Sequence, residues 1–240
     1  MKLLSFFLKI AERSIVNAIS RNKEEILKLL EKEPMARVID LGCGGGVWHR
    51  RIMMRVGTKE VYGVDYLVDA VRDAHGRSVY VIFANLDFGF PLRDESFDVV
   101  ISNQVIEHLI DVDNFLEEIN RILKPNGCAL ISTENLSSFE NLFTLLLGEQ
   151  AFSQHISRRY DVGNRFSPHF SFEPQEIDFR HRTIFTYHGL QRLLVAYGFR
   201  IEKAVGVSTF PIPRFLSKLD PLHSRFITIK ARKTSGARAT

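Results

Sequence analysis

Short apolar runs alternate with amphipathic segments through the middle of the chain. The apolar runs predict strands near Arg37–Leu41, Glu60–Val64, Val79–Ala84, Asp98–Ser102 and Cys128–Thr133. The helical periodicity between them predicts helices near Val47–Arg55, Val68–His75 and Asp113–Leu123. Strands separated by helices are typical of a parallel sheet, and strands this apolar are typical of a sheet covered on both faces. The pattern therefore predicts a doubly wound α/β fold.

The remaining segments are expected to complete a single domain over residues 1–240. An N-terminal helical region (1–35) precedes the core (36–133), an inserted region (134–183) follows it, and a C-terminal helix with two strands (184–232) leads to a flexible tail (233–240). The inserted region is rich in Phe, His, Asn and Arg and departs from the regular alternation, apart from a predicted helix near Ser137–Leu147. Such a long segment is typical of a lid or a substrate wall.

The N-terminal region has apolar residues at near-helical spacing, which predicts an amphipathic helix: Leu3, Leu4, Phe7, Ile10, Ile15 and Ile19. Lys9, Glu12 and Arg13 interrupt the apolar run and no small-residue cleavage site follows, so we expect no signal peptide. No stretch reaches the roughly 18 apolar residues of a membrane span. We expect this helix to pack on the domain, and peripheral contact with a membrane surface through it stays open.

Composition narrows the functional classes. The 240 residues are 45% hydrophobic and 25% charged, which is typical of one globular domain with a sizeable core. The cysteines, Cys43 and Cys128, lie far apart, and the eight histidines show no metal-site spacing. We therefore expect no disulfide, no metal and a cytoplasmic location. The net charge of +4 permits an acidic partner, but the basic residues are dispersed, which disfavours nucleic acid.

The stretch VIDLGCGGG (Val38–Gly46) is the first segment that points to a ligand. Its three alternating glycines, Gly42, Gly44 and Gly46, follow a strand, where the backbone of a doubly wound fold approaches its ligand. The glycines fit neither a dinucleotide fingerprint, which needs a third glycine at Val47, nor a phosphate loop, which needs Gly-Lys-Ser/Thr. With Asp40 at the strand end, the spacing favours a ligand that bears an amine. A bare strand-to-helix turn is the alternative.

Asp65 supports a nucleoside ligand. It ends the second predicted strand in VYGVDYL, about 20 residues beyond the glycines, where an acid binds the ribose hydroxyls in folds of this class. Its two carboxylate oxygens can accept hydrogen bonds from both hydroxyls of one ribose.

Four ordered segments carry a family resemblance: VIDLGCGGG, VYGVD, FPLRDESFDVVISNQVIEHL and RILKPNGCALISTEN. Together, over Ala36–Asn135, they resemble the class I S-adenosylmethionine-dependent methyltransferases, and the type 11 family in particular. The resemblance implies a methyltransferase with S-adenosyl-L-methionine as its cofactor. It also implies a Rossmann-like, mainly parallel seven-stranded sheet whose last strand is antiparallel.

The resemblance also implies a set of cofactor contacts. Asp40 and the glycines are expected around the methionine moiety, Asp65 on the ribose, and the ANLDF turn on the adenine. Asn85 stands where the family often has an aspartate, but its carbonyl oxygen can still accept from the adenine amino group. The predicted cofactor-binding residues are Asp40, Gly42, Cys43, Gly44, Gly46, Asp65, Tyr66, Asn85, Leu86 and Asn103.

The run QVIEHL (Gln104–Leu109) raises the question of a metal. Some quinone methyltransferases of similar pattern bind a metal here through acids and a histidine. In this chain Gln104 replaces the first acid. Glu107 and His108 are therefore expected to be structural, and no metal site is predicted.

Methyl transfer needs alignment more than it needs a protein nucleophile, because the sulfonium already carries the activation. A hydroxyl acceptor also gains from a general base, for which histidine is suited near neutral pH. The base candidates are the polar residues of AFSQHISRRYDVGNRFSPHF, namely His155, Arg158, Tyr160 and His169. His155 is preferred because it follows the helix expected to cover the cofactor end of the sheet.

The expected acceptor is an oxygen or nitrogen atom of a small molecule, a lipid or a glycan. RNA methylation is one alternative, but SNQV stands where base-flipping enzymes carry an NPPY-like tetrad. A catalytically silent methyltransferase-like binding or scaffold protein is the other, although the glycine stretch and Asp65 are intact. The pattern gives no indication of the oligomeric state.

Overall fold

A computed structural model gives the structure of residues 2–174, 180–209 and 218–234, with side chains described from Ser14 onward. The helices are α1 (Lys2–Leu29), α2 (His49–Val56), α3 (Val68–Gly76), α4 (Val112–Ile122), α5 (Phe139–Leu146) and α6 (Tyr187–Ala196). The strands are β1 (Val38–Leu41), β2 (Val61–Asp65), β3 (Tyr80–Phe83), β4 (Phe97–Asn103), β5 (Leu123–Glu134), β6 (Phe199–Val207) and β7 (Phe226–Lys233).

The seven strands form one sheet in the order β3-β2-β1-β4-β5-β7-β6. The first five strands are mutually parallel, and β7 is antiparallel to both of its neighbours, β5 and β6. The strand order reverses direction at β1, next to β4. In a sheet of this kind a ligand binds at the carboxyl ends of the strands near that reversal. The predicted fold, with its antiparallel last strand, is confirmed.

Side chains that alternate along β1 and β4 build a core on each face of the sheet. One face packs against α4 and α6 through Ile39, Val100, Phe115 and Leu190. The other face packs against α1 and α2 through Val38, Ile101, Ile26 and Ile52. These central strands are therefore buried on both faces, as their apolar sequences predict.

The prediction that every strand is covered on both faces is wrong for β3. This strand pairs only with β2 at the edge of the sheet, and Tyr80 and Phe83 are 68% and 61% exposed. Strand β5 also begins earlier than predicted, because Leu123 already pairs with Phe97 before the register shifts. Helix α4 ends at Ile122, directly before the LKPNG segment (Leu123–Gly127), in which Asn126 has a φ of 62°.

Helix α1 is long and packs on the sheet through its C-terminal half, where Ala18, Ile26 and Leu29 are buried. The side chains of Leu3, Leu4, Phe7 and Ile10 lie outside the described residues. Among the helices that the structure describes, none is both long and apolar enough to cross a bilayer.

The inserted region contains α5 close to the predicted position. Over the described residues 147–174 that follow, the chain forms turns and one isolated bridge, between Asp161 and Ser171. Asn141 on α5 fixes this segment, because its side-chain amide donates to Ser153 Oγ at 3.0 Å. Residues 235–240 of the predicted tail lie outside the described residues.

Candidate functional site

The three alternating glycines form a turn between β1 and α2. Gly42, Gly44 and Gly46 have φ values of 74°, 55° and 69°, a region that residues with a Cβ rarely adopt. The N–H groups of Gly42 and Cys43 donate to Val64 O of β2 at 2.8 and 3.0 Å. The turn is therefore folded back onto the end of β2.

Only one of these glycines opens into empty space. A Cβ at Gly42 would collide with Val105, and a Cβ at Gly46 would lie 2.8 Å from Val79 Cγ2. A Cβ at Gly44 would meet no heavy atom within 4 Å. Gly42 and Gly46 therefore serve packing, whereas Gly44 presents its backbone to the space in front of the turn, where a ligand can approach closely.

Cys43 can contribute only its backbone to that space. Its side chain is buried, and a Cβ on Gly63 would lie 2.6 Å from Cys43 Sγ, so the thiol packs on β2. Burial raises the pKa of the Cys43 thiol to about 12. The thiol is therefore protonated and is not a nucleophile at neutral pH.

Asp65 lies directly beside the turn. Its Oδ2 accepts a hydrogen bond from Gly44 N at 2.8 Å, and its Oδ1 accepts one from Leu67 N at 3.0 Å. Each carboxylate oxygen can accept a second hydrogen bond, so the two ribose hydroxyls that the resemblance implies remain compatible with these contacts. Tyr66, the next residue, is 46% exposed at the same end of β2.

Asp40 lies in the core behind the turn. It is 1% exposed, and its Oδ2 accepts from Trp48 Nε1 at 2.8 Å. Burial raises the pKa of Asp40 to about 7, against the opposing effects of the Trp48 hydrogen bond and the Lys23 charge. A cationic group in front of the turn would favour the ionised carboxylate, which fits an amine-bearing ligand.

Two residues of this end were missed by sequence reasoning. Trp48 is the chain's one tryptophan and immediately precedes α2, and Lys23 on α1 lies with Nζ 5.5 Å from its ring centroid. The position of Trp48 just after the glycines was a usable signal. No sequence signal indicated Lys23, because it lies on a helix that is distant in the sequence from the glycine turn.

Asn85 lies at the carboxyl end of β3, as predicted, but its carbonyl oxygen already has a local partner. Asn85 Oδ1 accepts from Asp87 N at 3.0 Å and caps the short 3-10 turn Leu86–Phe88. Asn85 is exposed and Leu86 is buried. An adenine amino group would have to use the second lone pair of this oxygen.

Asn103 ends β4 and is held by α1. Its Oδ1 accepts from Asn22 Nδ2 at 2.9 Å, and the same Asn22 amide donates to Ser132 Oγ at 2.7 Å. Thr228 Oγ1 in turn donates to Asn22 Oδ1 at 3.1 Å. This buried network fixes α1 over the carboxyl ends of β4 and β5, close to the glycine turn.

The structure therefore brings the predicted cofactor residues to the carboxyl ends of four adjacent strands, β3, β2, β1 and β4. That is the edge at which the fold class binds ligands. The individual contacts with a cofactor stay predictions.

A second cluster lies on the turn after β4. Glu107 O accepts from Arg182 N at 2.7 Å and from Thr183 N at 3.2 Å, so the inserted region is tied to this turn. The His181 ring centroid lies 4.9 Å from that of His108 and 5.5 Å from that of His155. His155, the predicted base, thus belongs to a group of three histidines.

Of the other base candidates, Arg158 and His169 are exposed and Tyr160 is 39% exposed. They do not join this histidine group. His181 was missed by sequence reasoning, because it lies in a segment without periodicity and reaches Glu107 only through folding.

Burial dominates the electrostatics of this cluster. It raises the pKa of Glu107 to about 8, and hydrogen bonding with Thr133 and the backbone opposes this rise. Burial and the neighbouring His181 lower the pKa of His108 to about 4 and also lower that of His155. Both imidazoles are therefore neutral at pH 7.

Within the described part of the chain, Glu107, His108 and His181 each offer one atom that could hold a metal ion, and these atoms lie within 4.8 Å of one another. The interpretation of Glu107 and His108 as structural residues, and the expectation of no metal, stay predictions.

Comparison with protein families gives one match over most of the chain. A family model described as a methyltransferase domain matches residues 14–204. A probable S-adenosylmethionine-dependent methyltransferase of Mycobacterium tuberculosis is 37% identical over 135 residues, which are 54% of this chain and 47% of the relative. A ubiquinone biosynthesis O-methyltransferase of Rickettsia prowazekii is 27% identical over 165 residues, which are 66% of this chain and 61% of the relative. The chain thus spans about half of the length of the curated relatives that it matches.

Solved structures share the fold. A Thermotoga maritima S-adenosylmethionine-dependent methyltransferase, described as a possible histamine N-methyltransferase, superposes with a TM-score of 0.61 at 20% identity, covering 96% of this chain and 94% of that one. A [4+2]-cyclase superposes with a TM-score of 0.60 at 18% identity, covering 90% and 82%. At these identities the likeness concerns the fold alone.

Replacing Asp65 tests its predicted contact with the ribose. Asp65→Ala removes two charge-assisted hydrogen bonds worth about 1.5–3 kcal/mol each, so we expect the affinity for S-adenosylmethionine to fall by about a hundredfold or more. Isothermal titration calorimetry measures the change. Asp69→Ala is the control, because Asp69 is an exposed acid on α3 nearby. An affinity for Asp65→Ala equal to that of the wild type would rule out the ribose contact.

Gly44 offers a steric test. Gly44→Ala should weaken cofactor binding and Gly44→Val should abolish it, because the added atoms occupy the open space in front of the turn. A side chain at positive φ also costs about 1–2 kcal/mol of folding free energy. Gly57→Ala controls for that strain, since Gly57 has a φ of 85° at the end of α2 and a Cβ there would meet ordinary contacts. If Gly44→Ala and Gly44→Val bind the cofactor as tightly as Gly57→Ala does, the turn has no part in binding.

Proposed function

The chain belongs to the family of S-adenosylmethionine-dependent methyltransferases, and from that premise we propose that it methylates an oxygen or nitrogen atom of a small-molecule, lipid or glycan acceptor. The protein is an enzyme of this family, and its cofactor is S-adenosyl-L-methionine. The acceptor class is the proposed part. An oxygen acceptor is favoured, because the Rickettsia prowazekii relative is named as an O-methyltransferase.

The observation that carries the proposal is the group of three histidines next to the glycine turn. Val105, which packs against Gly42, lies two residues before Glu107, so the cofactor end and this cluster share one turn after β4. An acceptor placed between them could lie in line with the methyl group and the sulfur. Such alignment is the main contribution that a protein makes to methyl transfer.

His155 is the proposed general base. Its pKa is lowered by burial and by His181, so its imidazole is neutral at pH 7 and has a lone pair available for a proton. Its Nδ1 is buried and has no hydrogen-bond partner among the residues whose positions the structure describes. A hydroxyl acceptor would supply the missing partner and would lose its proton to this ring as the methyl group is transferred.

The inserted region (134–183) is proposed to cover the acceptor. It supplies His155 and His181, and it also contains a set of aromatic side chains: Phe152, Tyr160, Phe166, Phe170 and Phe172. Aromatic walls with a few polar groups are typical of small-molecule sites. A closed cover would also keep water away from the sulfonium. Its motion belongs to the same proposal.

Two alternatives and a location accompany the proposal. RNA as the acceptor is disfavoured, because SNQV occupies the position of a base-flipping tetrad. A silent scaffold is disfavoured, because Asp65 and the glycine turn are intact.

A cytoplasmic location is supported by Cys43 and Cys128, which are both free and buried. Peripheral membrane contact through α1 remains compatible with the proposal.

The experiment that tests the function combines calorimetry with a methyl-transfer screen. Purified protein is titrated with S-adenosylmethionine, and a tritiated methyl donor is then offered with small-molecule, lipid, glycan and RNA extracts. Label in one of the first three supports the proposal. Label confined to RNA selects the first alternative, and cofactor binding without any transfer selects the scaffold.

His155→Ala separates chemistry from cofactor binding. We expect kcat to fall by about a hundredfold or more, the usual contribution of a general base, while the affinity for S-adenosylmethionine is unchanged. Turnover with the acceptor from the screen and calorimetry give the two values. His188→Ala, an exposed histidine on α6, is the matched control and should alter neither. Full turnover by His155→Ala would mean that the base lies elsewhere or that the acceptor needs none.

A further inference from the structure

The guanidinium group of Arg180 is buried with only part of its hydrogen bonding satisfied. Arg180 is 8% exposed, and its Nη1 donates to Tyr160 O at 3.2 Å. Its Nε and Nη2 are buried and have no hydrogen-bond partner among residues 14–174, 180–209 and 218–234. A buried cation with unsatisfied donors destabilises a fold, so its presence in a native protein calls for a compensating ligand.

The two unpartnered donors lie on the same edge of the guanidinium plane. In arginine, the Nε–H bond and one N–H bond of Nη2 point in the same direction, so this edge can hold both oxygens of one carboxylate or phosphate. Nη1 lies away from this edge and is held by the carbonyl of Tyr160. One side of the guanidinium plane is therefore anchored by a hydrogen bond. The edge formed by Nε and Nη2, which could bind a bidentate ligand, is left unpaired.

The other buried arginine of this region provides a contrast. Arg225 donates from Nη2 to Glu134 Oε1 at 3.2 Å, and both side chains are largely buried. The Arg225 charge helps to lower the pKa of Glu134 despite its burial, so this carboxylate is ionised and paired. Glu134 therefore neutralises Arg225 and leaves Arg180 without that acid.

Arg180 belongs to the same part of the molecule as the proposed base. Its carbonyl oxygen lies 3.4 Å from Nδ1 of His108, a member of the histidine group. Arg180 also directly precedes His181, whose ring centroid lies 5.5 Å from that of His155. An anion on this edge would hold the rest of its molecule beside His155.

We propose that the Nε and Nη2 edge of Arg180 binds a carboxylate or phosphate group of the methyl acceptor, so that the enzyme selects an anionic acceptor. This assignment rests on the proposed function for the identity of the ligand. The carboxylate of S-adenosylmethionine is the other source of the same chemistry, and the test distinguishes the two.

The first arm of the test measures stability without ligand. Arg180→Met removes a buried charge and keeps an unbranched side chain, so its melting temperature should equal or exceed that of the wild type. Arg225→Met is the matched control and should melt lower, because it leaves Glu134 buried and unpaired. If Arg180→Met melts as low as Arg225→Met, Arg180 is a structural residue and the proposal fails.

The second arm uses benzoate and inorganic phosphate as probes, each titrated into protein saturated with S-adenosylhomocysteine. At least one probe should raise the melting temperature of the wild type and have no effect on Arg180→Met. Arg180→Lys should respond weakly, because a lysine ammonium cannot form the bidentate contact. If the wild type and Arg180→Met respond equally, or neither responds, the edge binds no anion and the proposal fails.

The third arm identifies the source of the anion. S-adenosylhomocysteine carries a carboxylate and 5′-methylthioadenosine does not. If Arg180 binds the acceptor, Arg180→Met should bind both nucleosides as the wild type does. If only the affinity for S-adenosylhomocysteine falls, the edge holds the cofactor, and the assignment to the acceptor is overturned. Failure of the wild-type protein to bind either nucleoside would instead contradict the proposed function.

Discussion

The hydrogen bond from the Gly44 amide to the Asp65 carboxylate joins the two parts of the chain on which the cofactor end of the fold depends. It holds a turn with three positive φ angles against the end of β2, and the same carboxylate also orders the backbone at Leu67. The turn lies at the point where the strand order of the sheet reverses, which is where a fold of this class binds its ligand. Asp65 therefore fixes the loop, and each of its oxygens keeps a lone pair for the ribose contact that we predict.

The cluster on the turn after β4 differs from the glycine turn in how its hydrogen bonds are satisfied. In the described part of the chain, Nε2 of Gln104, Nδ1 of His155 and two nitrogens of Arg180 are buried without hydrogen-bond partners. Each such group costs free energy of folding, and native proteins keep few of them. Their concentration on the turn after β4 and the inserted region means that this part of the molecule is less stable than its packing would allow. Strain of this kind is typical of a site that a substrate completes.

The sequence predicts the central strands and the position of the glycine turn because these signals are local. Asp40 lies in β1, Asp65 ends β2 and the glycines directly follow β1, and the apolar runs of β1 and β4 indicate that both faces are covered. The exposed faces of β3 were not predicted, because an edge strand and a central strand can have equally apolar sequences. Asn22 and Lys23 were missed for a related reason, since only the packing of α1 on the sheet brings them to Asn103 and Trp48.

The contacts between the inserted region and the turn after β4 cannot be predicted in the same way, because their residues are far apart in the sequence. Backbone hydrogen bonds between the inserted region and the turn after β4 bring Arg180 and His181 to His108 and His155. No periodicity in the sequence predicts these contacts. A [4+2]-cyclase with the same fold indicates that the shared sheet does not determine the reaction. Under the function proposed above, the acceptor is selected by the polar groups that the inserted region places over that sheet. The His155 imidazole takes up the proton that the acceptor loses, and the Nε and Nη2 edge of Arg180 binds its negative charge.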